Sequence, residues 1–83
     1  MQTTPLQMFV FCQSLVTKIK FPDMELTRGV PAFRNEYKKA RGLKRNANAV
    51  EVLRDVRDYL THVGWIEEFN KATAKYPEIV AML

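Results

Sequence analysis

Four prolines and three glycines decide what this chain can become, because they interrupt its helical pattern so often that no long element survives. Pro5, Pro31 and Pro77 stand where helices start, Pro22 at a break, and Gly29, Gly42 and Gly64 at stops. Between these points apolar residues recur three and four positions apart and do not alternate, and no Asn-Gly or Asp-Gly hairpin signal occurs. The expectation is an all-α fold: a single compact bundle of five to six short helices, residues 1–83 forming one domain. A chain of 83 residues buries only roughly 60% of the surface it exposes when unfolded, so its core is thin.

The first helix is expected at about 5–20, capped by Thr4 with Pro5 at its first position. Met8, Phe11, Cys12, Leu15, Val16 and Ile19 share one broad face with Phe9 at its edge, while Leu6 and Val10 fall outside it. A helix apolar over so much of its circumference is central to the bundle or forms an interface with a second chain. Asp23 then caps a short helix to about Arg28, and Gly29-Val30-Pro31 turns the chain into a helix at about 31–41 with Pro31 first. Gly42-Leu43 reads as its Schellman cap. Its apolar stripe is narrow, Phe33, Tyr37 and Ala40, and Arg34, Lys38 and Arg41 share another face flanked by Asn35.

Asn48 and Glu51 resemble a capping box opening a helix at about 48–63. Ala49, Val52, Leu53, Val56, Tyr59, Leu60 and Val63 form its apolar third, with Arg54 placed to pair with Asp58 on the wet side. After Gly64, Trp65, Phe69, Ala72 and Tyr76 share a face of a helix at about 65–75, with Glu67 and Lys71 paired opposite. Pro77 starts a short last helix, and the uncharged stretch 79–83 is expected to dock on its own domain.

Charge is distributed unevenly. Nine Lys/Arg against three Asp/Glu lie in residues 1–45, and four against six in residues 46–83, within a net charge of +4. Arg34, Lys38, Lys39, Arg41, Lys44 and Arg45 fall in twelve residues opposed only by Glu36, and with Asn35 they are the candidate nucleic-acid-binding residues. Such a cluster supplies the sequence-independent phosphate contacts of DNA or RNA binding. An acidic protein partner is the alternative, with a protein-binding adaptor or inhibitor as the function and a second copy of the chain as a further partner.

The segment from Glu25 through Gly29-Val30-Pro31 to Lys39 resembles a helix-turn-helix DNA-binding motif, in which a glycine and an apolar residue form the turn before the recognition helix. The resemblance implies DNA binding through the helix that follows the turn. This chain departs from the pattern at Glu25, where the motif has a small residue, and at Asn35 and Lys38, where it has apolar ones.

Catalytic chemistry is not expected. One cysteine and one histidine cannot make a multi-cysteine metal site, and a nucleophile needs a positioned base. Cys12 lies on the apolar face of its helix, where a thiol is inert, and His62 sits on the polar side near a helix C-terminus, where an imidazolium is favoured by the dipole. The three glycines are separate helix stops and form no phosphate loop. No cofactor, metal or catalytic residue is expected. The lone cysteine points to a reducing, cytoplasmic location, and the apolar run from Leu6 to Val16 has neither the positive flank of a signal peptide nor the length of a membrane span.

Overall fold

The computed structural model describes residues 3–25 and 29–83. Among them are five helices and no strands: α1 (Pro5–Lys20), α2 (Gly29–Arg41), α3 (Ala49–Val63), α4 (Ile66–Thr73) and α5 (Pro77–Ala81). Several boundaries have a local cause. Thr4 accepts a hydrogen bond from the Gln7 amide at 3.2 Å while the Gln7 side chain accepts one from the Thr4 amide at 2.9 Å, so a full capping box opens α1. Gly42, at φ 70°, ends α2 as expected: the Leu43 amide donates to the Lys38 carbonyl and the Gly42 amide to that of Lys39, the two bonds of a Schellman motif. Gly64, at φ 82°, ends α3 in the same left-handed conformation.

The core is built around α1, which packs on α4 and α3 and more lightly on α2, while α5 closes against α4. Met8, Phe11, Cys12, Leu15 and Val16 of α1 are buried with Val52, Leu53, Val56 and Leu60 of α3, Phe69 and Ala72 of α4, Ile79 of α5 and Tyr37 of α2. Leu6 and Val10 lie on the exposed side of α1, 69% and 49% accessible, as the helical periodicity requires. Ile79 docks the C-terminal helix on its own domain. The aromatic rings of Phe33, Phe11, Tyr37 and Tyr59 meet in sequence, at centroid distances of 4.8, 5.3 and 6.3 Å. The outer two pairs meet edge to face and the Phe11–Tyr37 pair is tilted at 52°, and aromatic pairs contribute about 0.5–1.5 kcal/mol each beyond burial. Here they tie α2 to α1 and α3.

The structure departs from the sequence reading in several places. Residues 23–25 form a turn and irregular backbone where a short helix was expected, and the rest of that segment, 26–28, lies outside the described residues. Gly29 and Val30 begin α2, which puts Pro31 in its third position; the first amides of a helix have no carbonyl to meet, so proline fits there as well. Asn48 caps α3 by accepting from the Glu51 amide at 2.9 Å, but Glu51 returns no bond, leaving half a capping box. Trp65 is the residue preceding α4 and belongs to no helix. Val63 and Ala40, placed on apolar stripes by periodicity, are exposed. Among the described residues, Lys71 pairs with Glu68 at 4.0 Å instead of Glu67, and Arg54 and Asp58 form no ion pair.

Candidate nucleic-acid interface

The basic cluster occupies the last turns of α2 and the loop that joins it to α3, and the structure divides it into cations held by the fold and cations left free. Arg41 is held. Its Nε donates to Asp55 Oδ2 at 2.9 Å and its Nη2 to Oδ1 at 3.4 Å, and its guanidinium lies 5.1 Å from the centroid of the Tyr59 ring. Asp55 also accepts from the Tyr37 hydroxyl at 2.7 Å. One carboxylate of α3 therefore fastens two side chains of α2. Its hydrogen bond raises the pKa of Arg41, and burial followed by the Asp55 hydrogen bond raises that of Tyr37.

Lys38 is buried, 7% accessible, which corrects the expectation of a solvated Arg34/Lys38/Arg41 stripe. Helix α2 is rolled about its axis so that Lys38 turns inward while Ala40 turns out. The Lys38 ammonium donates to the Arg45 carbonyl at 3.1 Å. Burial lowers its pKa, the neighbouring Arg34 lowers it further, and Glu51 acts in the opposite direction. Arg34 is half-buried, and its Nε is buried with no hydrogen-bond partner among the described residues. Asn35, Lys39, Lys44 and Arg45 are exposed.

Asn35, Lys38, Lys39, Leu43 and Arg45 line one groove of about 530 Å³. Four of the seven candidate residues are thus brought together. Arg34 lines a separate depression of about 260 Å³ with Lys18, Asp23, Met24, Glu25 and Pro31; Arg41 and Lys44 line neither. Sequence reasoning missed Leu43, the apolar wall of the groove, having used it only as a helix cap, and it missed Asp55, whose pull on Arg41 comes from 14 residues away. The helix-turn-helix correspondence does not hold, because the residues assigned to its turn, Gly29 and Val30, are the first two residues of α2.

A second groove, of about 470 Å³, lies between α1 and the start of α2, where Leu6, Val10, Phe11, Val30 and Phe33 line it with Gln7, Ser14 and Gly29. None of these described residues is charged. Elsewhere Cys12 is buried, which pushes its thiol up to about 12, and His62 is exposed at the end of α3. No cluster of three or more His, Cys, Asp or Glu suited to a metal ion occurs among the described residues, and no helix is long and apolar enough to cross a membrane.

No family model, no characterised protein and no solved structure matches the chain.

Proposed function

We propose that this protein is a small non-enzymatic domain that binds nucleic acid, DNA or RNA, through the groove at the end of α2, as an accessory or regulatory factor. The observation that carries the reading is the convergence of Lys38, Lys39 and Arg45 with the Asn35 amide on one concave surface. Such a surface meets phosphate oxygens with ionic hydrogen bonds, and binding of this kind weakens steeply with salt. Lys44, exposed in the same loop, extends the positive field. The second half of the chain is net acidic, which disfavours wrapping of the whole domain by a polyanion. A reducing, cytoplasmic setting is consistent with the reading, the buried Cys12 being the only thiol.

The test is fluorescence anisotropy with labelled duplex and single-stranded DNA and RNA over a range of salt. Lys39→Gln is expected to weaken binding similarly for all sequences and to reduce the salt slope by about one unit. A parent protein with no affinity for any of these probes at low salt would refute the reading.

A protein-binding adaptor is the second reading, and a different observation favours it: the uncharged groove flanked by Leu6 and Val10. Uncharged concave surfaces of this kind receive apolar side chains of a partner. Binding that is lost on Val10→Glu and indifferent to Lys39→Gln would establish it.

A further inference from the structure

Lys38 poses a question that the fold does not answer. Lysine is almost never fully buried unless paired, because an ammonium withdrawn from water needs a counter-charge or a full set of acceptors. Lys38 is 7% accessible, yet it takes part in none of the ion pairs among the described residues. Of its three N–H donors, one is satisfied by the Arg45 carbonyl at 3.1 Å. Arg34 adds a like charge nearby, and the pull of Glu51 does not offset burial, so the ammonium is held at a cost. A methionine, similar in length to the lysine stem, would fill most of the same space without that cost. A charge kept where it destabilises the free protein is a mark of a site whose counter-charge arrives with the ligand.

The groove supplies the rest. Lys39 and Arg45 stand with Lys38 along its wall, so three cations border a cavity with no carboxylate in its described lining. We propose that Lys38 is the principal phosphate ligand of this groove, its missing counter-charge being a phosphate group of the bound nucleic acid, held between Lys38, Lys39 and Arg45. The inference rests on the nucleic-acid reading and adds to it a specific ligand. Lys39 and Arg45 are exposed, whereas Lys38 is largely withdrawn from water and already tied to the Arg45 carbonyl, so it gives up less hydration when it meets a phosphate.

This assignment separates stability from binding. Lys38→Met and Lys38→Gln, the latter able to keep the hydrogen bond to the Arg45 carbonyl, are compared with Lys39→Gln by urea unfolding and by anisotropy at low salt. Lys38→Met is expected to unfold at the same or a higher urea concentration than the parent. Both Lys38 variants are expected to bind nucleic acid about tenfold more weakly, a larger loss than Lys39→Gln gives. Nucleic-acid binding within about twofold of the parent in either folded Lys38 variant overturns the assignment and leaves the nucleic-acid reading standing. Both Lys38 variants being strongly destabilised overturns it as well, since Lys38 would then be a structural residue. If the parent binds no nucleic acid, titration with inorganic phosphate, followed by the Lys39 amide resonance, decides the outcome: saturable binding lost in Lys38→Gln keeps the phosphate site with another source of phosphate, and binding retained in that variant, or no binding in the parent, ends the assignment.

Discussion

At Cys12 a single atom sets a pH limit on the whole fold. The thiol is fully buried in the middle of α1, and burial moves its ionisation from 9.0 to about 12 against the opposing pull of a backbone hydrogen bond, with the charge of Glu68 acting in the same direction as burial. The unfolded chain releases this proton above 9.0 and the folded chain does not, so the thiol's contribution to stability is complete below 9.0 and is lost as the pH rises toward about 12. Each pH unit in that window removes about 1.4 kcal/mol. Tyr37 adds a component of the same sign above 10.0. Cys12→Ala lacks the thiol's component, so its stability deficit against the parent should shrink steadily across the window; parallel urea profiles for the two proteins would contradict this. Asp55 shows the other side of residue-scale reasoning. Its place on the polar side of α3 could be read from periodicity. Its bonds to Tyr37 and Arg41 could not, because they depend on how far α2 is rotated against α3.

At the scale of the element, the helix ends were the most legible part of the chain. Pro5, Gly42, Gly64 and Pro77 act through backbone geometry that does not depend on distant packing, and the helices they delimit lie within two residues of the expected bounds, α2 starting two residues early and α4 ending two residues early at Thr73. Gly29 was misread because a glycine marks a turn only where the backbone needs a positive φ, and it does not have one here. The two glycines make opposite predictions. No atom lies within 4 Å of a Cβ built on either, so substitution tests the backbone alone. Gly64→Ala places a side chain at φ 82° and should cost about 1–2 kcal/mol. Gly29→Ala replaces a helical glycine and should stabilise by about 0.4–1 kcal/mol. Thermal unfolding of the two variants checks both signs. The narrow stripe of α2 explains the error over Lys38: with only Phe33, Tyr37 and Ala40 to orient it, a small roll exchanges an alanine for a lysine at the buried edge. Helix α3, with seven apolar positions in phase, left no such freedom, and only its last, Val63, is exposed.

At the scale of the molecule, the two grooves are separate surfaces, one cationic and one uncharged, both bordered by α2 but with no lining residue in common. Val10→Glu should therefore leave unfolding within about 0.5 kcal/mol of the parent, because the side chain is exposed, and should leave nucleic-acid affinity unchanged. Loss of affinity in that variant would mean that the two grooves act as one surface. The all-helical class and the content of the core followed from periodicity, whereas the shape of the basic site required the loop between α2 and α3 to be folded back under Lys38. The packing of α1 has a consequence for biosynthesis. Its main partner, α4, begins at Ile66, so a ribosome adding ~5–20 residues per second leaves the apolar face of α1 without that partner for several seconds. During this interval Phe11, Leu15 and Val16 are a target for chaperones and for neighbouring nascent chains, and the yield of folded protein depends on how quickly the last third of the chain emerges.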